Sequence, residues 1–122
     1  MDRRVRSIVA LLEAQWQRRL CVPDLAREMG LGASRLEHLF KVHAKTTIRD
    51  FVRERRLQEA AERLAGSEER ISVISFGVGF HDVSNFNHAF KKRFGLSPRA
   101  YRDLKRNPVE SRSDQEKPED TK

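Results

Sequence analysis

Cysteine, tryptophan and tyrosine each occur once in this 122-residue chain, and methionine twice. A single thiol, Cys21, cannot close an intramolecular disulfide, and four scattered histidines beside it give no metal-ligand spacing. A disulfide scaffold and a zinc finger are excluded, and a reducing, cytoplasmic setting fits. Long apolar runs are lacking too: none nears the roughly 20 residues that span a bilayer, and no apolar stretch with a cleavage site follows the first arginines. No membrane association is expected. Gly-rich phosphate loops and a G-x-S-x-G turn are missing, and no carboxylate pair sits in an apolar context, so neither an enzyme nor a cofactor is indicated.

Positive charge is what the chain has in excess. Lys and Arg number 25 against 18 Asp and Glu, a formal net charge of +7. Residues 1–106 hold 22 basic and 13 acidic side chains, a net +9, whereas residues 107–122 hold three basic and five acidic ones. The basic charge therefore belongs to the body. Of its 22 basic side chains 17 are arginine, whose planar fork matches phosphate oxygens and guanine edges better than the point charge of lysine. A polyanionic partner follows, and nucleic acid is favoured.

Apolar spacing points to helices throughout. Val5, Ile8, Val9, Leu12 and Trp16 predict a first helix ending near Leu20. Pro23 suits a first helical turn, and Val22, Leu25, Ala26 and Met29 form one face of a short helix stopped by Gly30. Leu36, Leu39 and Phe40 then give a further helix its inward face. Thr47 and Asp50 have capping-box spacing at the head of a long helix of about 18 residues, roughly 27 Å, closed by Gly66. Ile71, Ile74, Val78 and Phe80 surround Gly77 and Gly79, Asp82 is placed to cap a helix with Phe86, Ala89, Phe90 and Phe94 inward, and Ser97-Pro98 opens a last one. From Asn107 the chain is polar and is expected to be disordered.

The pattern repeats. Leu25-Ala26-x-x-x-Gly30-Leu31 aligns with Ile74-Ser75-x-x-x-Gly79-Phe80 at an offset of 49, and Leu36, Phe40, Lys41, Thr47, Arg49 and Phe51 align with Phe86, Phe90, Lys91, Ser97, Arg99 and Tyr101 at 50. A small residue lets two helices cross closely, a glycine permits the turn between them, and the second turn is one residue longer. One such unit would suit a plain helical hairpin; two, with basic and amide residues on both outward faces, favour DNA binding.

The stretch ISVISFGVGFHDVSNFNHAFKKRFGLSPRAYR closely resembles the signature of AraC/XylS-type transcription regulators, and LAREMGLGASRLEHLFK and FVRERRLQEAAERL extend the resemblance from Val5 to about Leu104. It implies an all-α fold of about seven helices: a first helix-turn-helix subdomain over residues 1–45, a linker helix over 46–66, a second helix-turn-helix subdomain over 67–106, and a tail over 107–122. It also implies double-stranded DNA as ligand and activation of transcription through RNA polymerase. Family members commonly carry a separate ligand-binding or dimerisation domain. The chain has no room for one, so it reads as a short stand-alone regulator or the DNA-binding part of a longer protein, monomeric in itself.

Base-reading candidates lie on the outward side of each second helix, where side chains enter the major groove. They are Ser34, Arg35, Glu37 and His38 in the first unit and Val83, Ser84, Asn85, Asn87 and His88 in the second. Asn85 or Asn87 suits adenine, Glu37 the amino group of cytosine, and Val83 a thymine methyl, although an exposed salt bridge is the plainer role for Glu37. The resemblance points most directly at Ser34, Glu37, His38, Ser84, Asn85 and His88. Lys41, Arg49, Arg53, Arg56, Lys91, Lys92, Arg93 and Arg99 are candidates for phosphate contact, with pairing to Glu54, Glu59 or Glu62 the alternative for some. Gly32 stands where the family often has serine, which weakens that cap. Successive major grooves lie about 34 Å apart, more than the linker helix spans, so bound DNA is expected to bend. A protein-interaction module and a non-specific architectural protein are the other readings. RNA ranks below them, because every aromatic residue apart from Trp16 falls at an inward helical position.

Overall fold

A computed structural model describes residues 3–18 and 20–106. The tail expected to be disordered lies outside the described residues. Seven helices account for the secondary structure among the described residues: α1 (Arg3–Ala14), α2 (Val22–Glu28), α3 (Ala33–Ala44), α4 (Ile48–Gly66), α5 (Ile71–Gly77), α6 (Val83–Phe94) and α7 (Pro98–Arg106). The chain divides into two compact units between Arg56 and Leu57, inside α4.

In the first unit α1 and α2 both pack on α3. The core follows the helical spacing of the sequence: Val5, Ile8 and Leu12 from α1, Leu25 and Ala26 from α2, Leu36 and Phe40 from α3, and Ile48 and Val52 from the start of α4. The first helix is shorter than its periodicity suggests, ending at Ala14 rather than near Leu20. Gln15 still donates its amide to the Leu11 carbonyl, but Arg18 then donates to Gln15 in a turn. Beyond it, the Arg56 guanidinium donates from Nε to the Trp16 carbonyl at 2.9 Å and from Nη2 to the Arg18 carbonyl at 3.0 Å. A side chain thus occupies the Trp16 carbonyl, which a helix reaching Leu20 would have used, while Trp16 stays buried.

In the second unit α5 packs on α6 and α6 on α7. Phe86 and Phe90 are fully buried, and Phe80, Phe94 and Tyr101 extend them into one run of ring contacts with centroids 4.6–5.7 Å apart. Each such pair adds about 0.5–1.5 kcal/mol beyond the area it buries.

Both units repeat in backbone detail. Leu31 donates to the Ala26 carbonyl at 2.8 Å and Phe80 to that of Ser75 at 3.1 Å, each closing its turn over a glycine with positive φ, Gly30 at 72° and Gly79 at 107°. A side chain beyond Cα is strained there, which is why both turns carry glycine. Four residues separate α2 from α3 and five separate α5 from α6, so the second turn has the extra residue expected. Asp50 donates its amide to Thr47 Oγ1 at 3.0 Å, and Ala100 donates to Ser97 Oγ at 3.1 Å. Behind these caps Phe51 meets Phe40 edge-on at 5.8 Å, and Tyr101 meets Phe90 edge-on at 5.3 Å.

Candidate nucleic-acid interface

The second helix of each pair, α3 and α6, holds its inward face with two fully buried side chains four residues apart, Leu36 and Phe40 in one and Phe86 and Phe90 in the other. Helical geometry then turns the intervening positions outward. Ser34, Arg35, His38 and Lys41 are exposed on α3, with Glu37 half-buried. Ser84, Asn85, Asn87, His88, Lys91 and Lys92 are exposed on α6, with Val83 half-buried at its first turn. Every expected base-reading residue therefore lies on a solvent-facing or half-exposed part of one of these two helices.

Their amino-terminal ends are built differently. Asp82 caps α6 by accepting the Asn85 amide at 2.6 Å, a charge-assisted bond that fixes the first turn. Gly32 precedes α3 with no side chain to do the same, as its departure from serine suggests. Its backbone is extended, at φ −78° and ψ 157°, and a Cβ there meets nothing within 4 Å. At the far ends Lys41 and His43 close α3, and Lys91, Lys92 and Arg93 close α6, where cations complement the helix dipole.

The phosphate candidates separate by surroundings. Arg49 and Arg99 are exposed second residues of α4 and α7, equivalent in the repeat. Arg53 is half-buried, with Nη2 at 3.9 Å from the Asp50 carboxylate, and the Arg93 guanidinium lies over the Phe94 ring at 4.8 Å. Arg56 is committed to the turn after α1, and its burial pushes the guanidinium below its ordinary pKa. It holds the first unit together instead of facing outward with the others. Pairing along α4 does occur, between Arg63 and Glu59 at 3.1 Å.

Several contributors escape a pattern reading. Arg102 donates to the Leu64 carbonyl at 2.9 Å and the Ser67 carbonyl at 3.0 Å, and Arg106 donates to Ser67 at 3.2 Å while pairing with Glu68 at 2.8 Å. The Arg106 hydrogen bond holds the Glu68 carboxyl below the usual carboxylate range. Arg106 is the counterpart of Arg56 at the offset of 50, a signal available in the repeat. Phe76 is 55% exposed, against the expectation that the aromatic residues apart from Trp16 lie inward. It falls on the outer side of α5, opposite the buried Ile74 and Ser75, and one ring is no platform for the two or three stacked bases of an RNA reader.

Two helix-turn-helix units in one all-α chain define the class of protein. A family profile described as a helix-turn-helix domain matches residues 25–104. Among curated relatives, the probable transcription factor PqrA of Proteus vulgaris is 33% identical over 81% of this chain and 83% of its own length. The raffinose operon transcriptional regulatory protein RafR of Pediococcus pentosaceus is 34% identical over 77% of this chain and 34% of its own length. A transcriptional regulator structure from Chromobacterium violaceum, described as AraC-type, matches with a TM-score of 0.76 at 28% identity, covering 86% of this chain and 94% of that one. The chain spans about a third of the length of several curated relatives. It belongs to the AraC/XylS-type family of transcription regulators, whose DNA-binding domain it matches. No helix among the described residues is long and apolar enough to cross a membrane, and no group of potential metal ligands converges among them.

Proposed function

We propose that the chain is a sequence-specific reader of double-stranded DNA that regulates transcription, probing successive major grooves with α3 and α6. The observation that supports this best is the repeated presentation of the two helices: the same buried pair behind, and exposed serine, histidine and lysine at equivalent positions in front, with arginine or asparagine between them. Ser34, Arg35, Glu37, His38, Val83, Ser84, Asn85, Asn87 and His88 face bases in this reading. Lys41, Arg49, Arg53, Lys91, Lys92, Arg93 and Arg99 face phosphates. Action as an activator through RNA polymerase, with any sensing or dimerisation domain elsewhere, rests on the family resemblance; binding as a monomer rests on the presence of two non-identical readers in one chain, and a cytoplasmic setting on the single cysteine.

Fluorescence anisotropy with duplexes selected from a random pool tests it. Affinity should exceed that for unselected duplex by about a thousandfold or more at physiological salt and fall steeply as salt rises. Arg99→Ala should weaken all duplexes alike and lower the salt slope by about one. Equal affinity for every sequence would leave a non-specific architectural protein, and no affinity for DNA would leave a protein-interaction module.

A further inference from the structure

One titratable side chain recurs at the same place on both readers. His38 on α3 and His88 on α6 are equivalent in the repeat, each two residues before a fully buried phenylalanine, and both are exposed. The chain has four histidines, and the other two are not so placed: His43 is half-buried in the last turn of α3, and His81 precedes the Asp82 cap of α6.

The charged groups around the two rings leave both imidazoles uncommitted. On α3, Arg35 and Lys41 stand three residues to either side of His38, with Glu37 adjacent; on α6, Lys91 and Lys92 follow His88 by three and four residues. Of the elements packed on α3, α1 carries Arg3, Arg4, Arg6 and Glu13, α2 the paired Asp24 and Arg27 with Glu28, and the head of α4 Arg49, Asp50 and Arg53. Against α6, α5 carries no charged residue, and α7 carries Arg99, Arg102, Asp103, Lys105 and Arg106. No hydrogen bond, ion pair or ring contact among the described residues joins any of these groups to His38 or His88.

Imidazole is the side chain whose ordinary titration range lies between about pH 5 and 8. Neutral, the ring has one donor and one acceptor; protonated, it has two donors and a positive charge. A major groove is walled by phosphates, so a ring seated there gains from the charge whichever base it meets. Binding of DNA and binding of a proton at such a position favour each other by the same factor. We infer that His38 and His88 make the grip on DNA proton-linked: each takes up a proton on entering its groove, and affinity rises as the pH falls. The inference rests on the DNA-binding reading above and adds pH as an effector of that surface. Because the two rings are matched, both readers tighten together.

Fluorescence anisotropy with one selected duplex, followed from about pH 8 down to about pH 5.5 at fixed salt, tests it. Affinity of the parent should rise about fivefold to tenfold for each histidine, and its salt slope should steepen by about one for each. His38→Gln and His88→Gln should each remove about half of the rise on a logarithmic scale, and the double variant should respond little to pH. The variant with both His38→Lys and His88→Lys carries the charge permanently and should bind tightly across the whole range. Calorimetry of the parent in two buffers of different ionisation heat reads the proton itself, and should show uptake of about one proton near pH 7. If glutamine weakens binding beyond measurement, the lysine variant and the calorimetry decide. Parent affinity that does not change with pH, absence of proton uptake, or a rise that survives in either double variant would overturn the inference and leave DNA binding intact. No affinity for any duplex at any pH would overturn both.

Discussion

Both reader helices end in a residue of left-handed conformation, and the two units fill that position differently. Lys45 follows α3 at φ 65° and ψ 19°, and Gly95 follows α6 at φ 82° and ψ −5°. Each donates its amide four residues back, to Lys41 at 3.0 Å and to Lys91 at 2.7 Å, so the conformation is needed in both. For a residue with a Cβ it costs roughly 1–2 kcal/mol, whereas glycine adopts it freely but gives up about 0.5–1 kcal/mol of extra chain entropy on folding. Lys45→Gly should therefore stabilise the first unit by about 0.5–1 kcal/mol, and Gly95→Lys should destabilise the second by about as much. A Cβ at Gly95 meets nothing within 4 Å, and Lys45 is exposed, so neither figure contains a packing contribution. Urea unfolding followed by circular dichroism reads both variants, and near the midpoint of thermal unfolding about 1 kcal/mol corresponds to several degrees in a domain of this size. Lys45→Ala is the control: it keeps the Cβ and removes the amine, and should change stability little. If Lys45→Gly lowers stability, the favourable charge at the helix end outweighs the backbone cost and the argument fails; if Lys45→Ala raises stability as much as glycine does, relief of the left-handed backbone is not the cause and the argument fails as well.

Three more perturbations test the packing. Ser75 is fully buried where the first unit has Ala26, and its hydroxyl has no hydrogen-bond partner, so Ser75→Ala should raise the urea midpoint by the equivalent of about 1 kcal/mol; a loss would mean the hydroxyl is satisfied in solution. Arg56→Ala should cost about 2 kcal/mol by abandoning the Trp16 and Arg18 carbonyls, seen as a lower midpoint and faster amide exchange at the end of α1; an unchanged midpoint would show that the guanidinium does not hold that turn. Because Arg106 keeps the folded-state pKa of Glu68 below its unfolded value, their contact favours the folded state at neutral pH and is lost as the pH falls through the depressed value. Parent and Glu68→Gln should accordingly differ in amide protection of the last turn of α7 at neutral pH and converge in acid; a constant difference would refute the pairing.

Helical spacing was sufficient to locate the inward faces, since Leu36 and Phe40, or Phe86 and Phe90, can share one side of a helix in only one way. The caps at Thr47, Asp82 and Ser97 were legible for a related reason, because each acts within three residues of itself. Interactions that join distant residues were not. The Arg56 guanidinium reaches carbonyls some 40 positions away, and nothing in its local sequence distinguishes it from Arg53 or Arg55. The end of α1 departs from the sequence pattern for the same reason: Trp16 continues the apolar spacing while its backbone has already left the helix. Phe76 shows the limit from the other side, since an aromatic residue three positions after an exposed Val73 lies on the outer stripe whatever its hydrophobicity.

The repeat explains why the chain divides inside its longest helix. The first part of α4 does in the first unit what α7 does in the second: Thr47 and Ser97 cap, Ile48 and Pro98 are buried behind the cap, Phe51 and Tyr101 meet the phenylalanine of the reader edge-on, and Arg56 and Arg106 reach back to the carbonyls of Arg18 and Ser67. The second part corresponds to α1, with buried Leu57 and Ala61 at the positions of Ile8 and Leu12. One helix of 19 residues thus serves as the last element of one copy and the first of the next. The division falls between Arg56 and Leu57, so a substitution before it is expected to act on the α3 reader and one after it on the α6 reader. Phe51→Ala and Leu64→Ala test this, since each removes a large side chain from only one side of the division, and amide exchange should rise in the reader of the unit that lost it. Equal loosening of both readers by either variant would show that α4 carries strain from one unit to the other and that the two copies are not energetically separate.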